Sequence, residues 1–341
     1  MFRLLSTVGN VIGTLLLGFF LFPWVGSRQI LVSLGLVIFV TGLCLLPIIV
    51  GAGHVDPSGR FSVLSERESL YGYVRVIDDH KRNLRMLTAD ASMIGAANIP
   101  DGVNRLIYQD IVALIPAIKP SIKKALLIGQ GAGHMAMTLR DRYGIVTDTL
   151  EIDPAVAEAA TTHFGFKPNG KAIVGDARYE IRHLTGPYDL IIHDCFTGGS
   201  EPSHLLTVET LQQLQGLLAQ EGILALNFVA FGQGEGQRAL ASVSKTISQV
   251  FSNQSLFISE PGEDFSDFIF SQPASQPVDL ASKTLNVEQA DWLLKRKFEL
   301  DAGNGIVLTD NLNPLEHLQT RKSENYRRIL VDWFGPELLV R

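Results

Sequence analysis

The chain has 341 residues, with 35 acidic against 29 basic side chains and a formal net charge of −6. That balance gives no reason to expect nucleic acid as a partner. Two cysteines far apart, Cys44 and Cys195, argue against a disulfide framework, and no Cys/His cluster has the spacing of a metal site, so no metal is expected.

The first 55 residues differ from all that follow. No charged side chain occurs from Leu4 to Ser27 or from Gln29 to Val55, and Arg28, with Pro23 and Gly26 nearby, separates the two runs. Each run exceeds the roughly 20 apolar residues that a membrane span needs. We expect a hairpin of two transmembrane helices, about 4–25 and 30–52, in contact with membrane lipid. A cleaved secretory signal is the alternative, but the first run is too long for one and a second span follows directly. Gly9 and Gly13 form a small-xxx-small pair of the kind that lets helices approach in lipid. Arg3 against Arg28 does not orient the hairpin.

Residues 56–100 read as a β-hairpin region, with strands in Glu68–Asp78 and Asn83–Met93 about a polar turn at 79–82. Residues 101–341 read as one α/β domain. Residues 103–118 carry helical periodicity that stops near Pro120, after which strands and helices alternate. Strands are expected at 124–129, 146–153, 171–177, 188–194 and 222–230, with helices between them and two further strands near 255–260 and 267–272. Near-continuous apolar strands in such alternation predict a Rossmann-like, doubly wound parallel sheet, covered by helices on both faces. In that architecture ligands bind outside the carboxyl ends of the strands, where the strand order reverses.

The residues that close each strand are therefore the ones to inspect. The first strand ends in Gly129-Gln130-Gly131-Ala132-Gly133-His134, a loop whose glycines let backbone approach a ligand at a helix N-terminus. A dinucleotide fingerprint would place glycine at position 134, so His134 weakens a nicotinamide reading. Glu151 ends the second strand 18 residues past Gly133, close to the spacing of about 20 at which an acid meets ribose hydroxyls. Asp153, before Pro154, has the signature of a helix N-cap. Asp176, in Gly175-Asp176-Ala177, can accept from an adenine amino group, with Ala177 leaving room for the ring. Together these strand ends suit S-adenosylmethionine or a relative, with no pyrophosphate to cradle. The fourth strand, Tyr188-Asp-Leu-Ile-Ile-His-Asp194, ends on a carboxylate that can serve as a base, a ligand or a turn cap.

"YGYVRV", "IYQD", "LLIGQGAG", "LEID", "GDAR", "YDLIIHD", "PSHLLT" and "LTDNLNPLE" occur in that order between Tyr71 and Glu316. In these motifs the chain resembles the polyamine aminopropyltransferases, the spermidine and spermine synthases, and most of all the bacterial members fused to membrane helices. The resemblance implies the sheet of the S-adenosylmethionine-dependent methyltransferases and a transfer of the aminopropyl group of decarboxylated S-adenosylmethionine to a diamine such as putrescine. By the same resemblance Glu151 holds the ribose, Asp176 the adenine, Gln109 the co-substrate, and Tyr108 and Asp194 stand at the reacting amine. The co-substrate then needs no prosthetic group beside it, the soluble part lies on the cytoplasmic side of the plasma membrane, and a homodimer is the candidate assembly.

Three positions depart from the family pattern. Ala132 stands where an acid usually grips the donor's free amine, Thr197 where a second acid follows the catalytic one, and Gly72 where a glutamine is expected. Ala132 keeps open an S-adenosylmethionine-dependent methyltransferase, and a third reading is a nucleoside-binding membrane sensor without turnover. Cys195 and His193 read as packing residues, Asp310 and Asn311 either border the amine pocket or cap the last helix, and Tyr326, Trp333 and Phe334 read as helix packing.

Overall fold

The structure, a computed structural model, describes residues 32, 36, 39–40, 59–273 and 285–335. The chain divides into two compact units, Met1–Val55 and Asp56–Arg341. In the first, Val32, Leu36, Phe39 and Val40 are helical with exposed side chains. Among the described residues no helix is long and apolar enough to cross a membrane, and the expected spans at 4–25 and 30–52 lie outside the described residues apart from those four.

The second unit begins with a four-stranded antiparallel meander, β1 (Phe61–Glu68), β2 (Tyr73–Asp79), β3 (Leu84–Ala89) and β4 (Ser92–Asn98). Four strands stand where the sequence pattern suggests two. The run Asn83–Met93 is folded back on itself at Asp90, whose left-handed backbone (φ 47°) makes a tight turn without glycine or proline. Asp90 also accepts from the Tyr73 amide at 2.8 Å, so its side chain closes the turn that its backbone opens.

After α1 (Ile107–Ala113) and α2 (Ile115–Ile118) comes the main sheet. Its strands are β5 (Lys124–Ile128), β6 (Val146–Glu151), β7 (Ala172–Val174), β8 (Tyr188–His193), β9 (Leu218–Phe231), β10 (Ser255–Ile258) and β11 (Phe265–Pro273). Their order is β10-β11-β9-β8-β5-β6-β7. The pairs from β7 across to β9 are parallel, whereas β11 runs antiparallel to both β9 and β10.

The period-two alternation of a strand sends its side chains to opposite faces. Leu126 and Ile128 of β5 therefore join a core under α6 (Val208–Leu217) and α7 (Gln237–Ile247), while Ala125 and Leu127 join one under α1 and α3 (His134–Tyr143). Complete burial of such a leucine stabilises the fold by about 1.5–3 kcal/mol. α4 (Pro154–His163) packs on the meander through Ala155, Val156 and Ala159, against Val74, Val76 and Leu87. α5 (Ala177–Glu180) follows β7, and after β11 come α8 (Val287–Leu294), α9 (Leu315–Leu318) and α10 (Thr320–Phe334). The strand order turns between β5 and β8, and this places the glycine loop beside the end of β8.

Candidate functional site

Gly129 leaves β5 with φ 88°, and a methyl group there would lie 2.0 Å from the Asp194 carbonyl oxygen. The close approach of these two strand ends therefore requires glycine. A methyl group on Gly131 (φ 52°) would lie 2.6 Å from the Ile94 carbonyl oxygen of β4, a close approach that ties the loop to the meander. Gly133 is the residue before α3 and packs on Phe166. Glu151, at the end of β6, accepts from the Gly131 amide at 3.1 Å and the Asp153 amide at 3.1 Å. Burial pushes its carboxyl up to about 7, opposed by those two amides. Asp153 caps α4 by accepting from the Ala155 amide, and Asp176 caps α5 by accepting from the Tyr179 amide.

A cavity of about 120 Å³ opens at these strand ends. Gly129, Glu151, Asp176, Ala177 and Asp194 line it, with Ile152 and Leu205 as apolar wall. Gly131, Gly133 and Gln109 do not line it. Thr197 does, bringing a hydroxyl to the place where a second acid would sit. Ala132 points elsewhere: its methyl group is buried between Gly95 of β4 and α4, so a carboxylate at 132 would displace that packing. Gly72 is likewise closed to a side chain, because a methyl group there would lie 2.8 Å from an Asp90 carboxylate oxygen.

A second cavity, of about 410 Å³, shares Phe196 with the first. Tyr108, Asn227 and Asp267 line it, with Phe196, Phe265, Tyr326 and Trp333 as aromatic wall. The Tyr108 hydroxyl donates to Asp194 Oδ2 at 2.8 Å, and Asn227 Nδ2 donates to Asp194 Oδ1 at 3.0 Å and to Asp267 Oδ1 at 3.2 Å. Gln109 Nε2 donates to the Tyr108 hydroxyl at 3.2 Å. Burial raises the Asp194 carboxyl above its ordinary range, against the two hydrogen bonds that favour its charge. Burial, and then the Asp194 charge, push the Tyr108 hydroxyl well above the ordinary tyrosine value, so it stays a donor. Phe196 lines both cavities, and Asp194, which lines the first, is hydrogen-bonded to Tyr108 and Asn227 of the second.

Several side chains read differently in place. Tyr326 and Trp333 are cavity wall as well as packing, and the Tyr326 hydroxyl meets the Met93 backbone at 3.3 Å. Asp310 neither borders the second cavity nor caps α10; it accepts from Thr207 at 2.8 Å and pairs with Arg178. Burial raises the Cys195 thiol far above its ordinary value and lowers His193 to about 4, so neither is poised as nucleophile or base. His134 is buried at the start of α3, edge-on to Phe164 at 5.6 Å, and burial lowers it to about 4. Ser203 donates to Glu316, away from the adjacent His204, so the pair is no hydrolase dyad. Asn227 and Asp267 are the site residues that the sequence reading missed. Both interrupt apolar strands, and a polar residue inside a buried strand is the signal that would have found them.

No family model matches the chain. It is 29% identical over 300 residues, 78% of its length, to the N-terminal histidine N-methyltransferase of Emericella nidulans. It is 32% identical over 180 residues, 50% of its length, to the polyamine aminopropyltransferase of Vibrio vulnificus. The chain spans only 52% of the first relative and 60% of the second. Among solved structures, a probable spermidine synthase from Corynebacterium glutamicum superposes with a TM-score of 0.59 at 18% identity, covering 77% of this chain and 94% of that one. These curated relatives carry transferase names, and the superposition shows the Rossmann-like fold of the methyltransferase type. In sequence the chain is thus similar both to a methyltransferase and to polyamine aminopropyltransferases, and in fold to a probable spermidine synthase.

Proposed function

We propose that the protein transfers the aminopropyl group of decarboxylated S-adenosylmethionine to a small amine, releasing methylthioadenosine. The observation that carries this reading is Asp194, which lines a cavity fit for a nucleoside and is hydrogen-bonded to Tyr108 and Asn227 of a second cavity fit for a cation. In the first, Glu151 keeps lone pairs for ribose hydroxyls beside the two amides it already accepts from, and Asp176 faces the space for an adenine amino group. In the second, carboxylates and aromatic faces suit an alkylammonium. Such an amine has a reference pKa of about 10.4 and is protonated near neutrality, so it attacks only once a base has taken its proton. Asp194 accepts that proton while the nitrogen lone pair attacks the carbon next to sulfur. The carbon–sulfur bond breaks, its electron pair stays on sulfur, and the sulfonium leaves as a neutral thioether. The work left to the protein is holding nitrogen and carbon in line. The segments at about 4–25 and 30–52 would anchor this unit to the cytoplasmic face of the plasma membrane.

A second reading is methyl transfer from intact S-adenosylmethionine to an amine. Ala132 favours it, since an acid at that position would oppose the carboxylate of intact S-adenosylmethionine, and so does the 29% identity to a methyltransferase. Incubation with each donor and a panel of diamines, with mass spectrometry of the nucleoside formed, separates the two. Methylthioadenosine supports aminopropyl transfer, S-adenosylhomocysteine supports methyl transfer, and neither product with any amine overturns both.

A further inference from the structure

We propose that Asp267 and Asn227, on adjacent strands β11 and β9, form the binding site for the acceptor's ammonium, with Asp267 supplying from the sheet the second carboxylate that position 197 lacks. The proposal rests on the amine-acceptor reading of the second cavity and names the groups that would select its ligand.

Register brings the two residues together. Asp267 pairs with Val229, and Asn227, two residues back along β9, lies on the same face of the sheet. The Asn227 amide nitrogen donates to both Asp194 and Asp267, so its orientation is fixed by two carboxylates, and the carbonyl oxygen is turned the other way. That oxygen is buried and has no hydrogen-bond partner, although Asn227 is only 7% exposed. A buried acceptor left without a donor is costly and calls for an occupant. Among the described residues the Asp267 carboxylate accepts from Asn227 alone, and no ion pair to it forms. The groups facing it are Asp194 at the end of β8, Glu201 in the following loop, Glu260 after β10 and Lys322 of α10, the last already paired with Glu201. Burial and those three negative neighbours push Asp267 up to about 7. The pair therefore presents a carboxylate without an ion pair among the described residues and a buried carbonyl oxygen without a donor. A primary ammonium in the second cavity satisfies both, donating to Asn227 Oδ1 and to the Asp267 carboxylate, the two groups of the pair that line it. Phe196, Phe265 and Tyr326 close around it, which favours an aliphatic chain behind the charged head.

Asp267→Asn keeps shape and the Asn227 contact while removing the charge. Because the folded-state pKa is raised, the protonated form of Asp267 is the one compatible with the empty fold. Its stabilising effect is present below the ordinary pKa of 3.8 and is lost as pH rises through about 7. The variant should thus melt at or above the temperature of the parent at pH 8, which separates lost binding from lost folding.

The full-length protein, saturated with methylthioadenosine, is titrated calorimetrically at pH 8 with putrescine and with 1-aminobutane, and the steady-state acceptor KM is measured wherever turnover occurs. Asp267→Asn should weaken amine binding or raise the acceptor KM at least tenfold with nucleoside affinity unchanged. Asn227→Leu should do the same in the binding titration, and Glu263→Gln, outside the cavity, should change it by less than threefold. Amine binding unchanged in Asp267→Asn, or no binding of either amine to the parent, overturns the proposal. Binding lost in the variant while the parent binds but does not turn over upholds the proposal and removes the transfer reaction. Turnover with an unaffected KM in Asp267→Asn does the reverse.

Discussion

At the scale of single residues, the surroundings of Asp194 bear on the base proposed there. Burial makes its charge unfavourable, while Tyr108 and Asn227 restore enough of it to leave a carboxylate more basic than one in water. A base must be deprotonated to work, so kcat/KM should fall as pH drops through a value above the ordinary carboxylate range. Asp194→Asn should lower kcat by about 10²–10⁴-fold, the span typical of a lost general base. Its calorimetric affinity for methylthioadenosine should stay within twofold, and a variant that keeps more than a tenth of the parent kcat would remove the base assignment. Glu151, Asp176 and Asp194 were legible in the sequence because each closes a strand, where this architecture binds ligands. Asn227 and Asp267 were not, because they lie within strands and meet only through the antiparallel register of β9 and β11. That register is a tertiary fact that no local pattern encodes.

At the scale of elements, the loop from Cys195 to Thr207 carries Phe196 and Thr197 into the cavities and is held from below by α10. Glu201 accepts from the Val229 amide at 2.7 Å and pairs with Lys322, which also meets Gln319. Gln319 in turn donates to the Glu201 carbonyl at 3.0 Å and accepts from the Glu201 amide at 3.0 Å. Lys322 and Glu201 are 2% and 3% exposed, and Lys322 stands over the Phe228 ring at 4.4 Å. Burial lowers the Lys322 ammonium and raises the Glu201 carboxyl, each opposed by the partner. Removing one member of such a pair strands the other charge, at a cost of about 3–5 kcal/mol. Lys322→Met should therefore lower the midpoint of urea unfolding by that equivalent. Adding Glu201→Gln should recover most of the loss, since a glutamine still accepts from Val229. A double variant no more stable than Lys322→Met would show that the pair is not what holds the loop. In sequence Lys322 sits in a charged stretch that reads as a solvated helix face, and only the packing of α10 against β9 reveals its burial.

At the scale of the whole molecule, the alternation of strands and helices made the doubly wound sheet legible, because parallel neighbours need a crossover and the helices are long enough to provide one. The exception was equally constrained. Only six residues separate Ile258 from Phe265, too few for a crossover, so β10 and β11 must pair antiparallel, and β11 enters β9 in the same sense. The division at Val55/Asp56 falls where the composition changes, and the unit from Asp56 holds its own hydrophobic clusters, formed from residues 61–334. A chain starting at Asp56 should thus melt cooperatively and bind methylthioadenosine within about twofold of the full chain. If residues 1–55 form the proposed membrane anchor, the full chain alone should sediment with membranes, resist a carbonate wash and leave only with detergent. Recovery of the full chain in the carbonate supernatant would remove the anchor while leaving the chemistry of Asp194 untouched, since every residue assigned to that chemistry lies beyond Asp56.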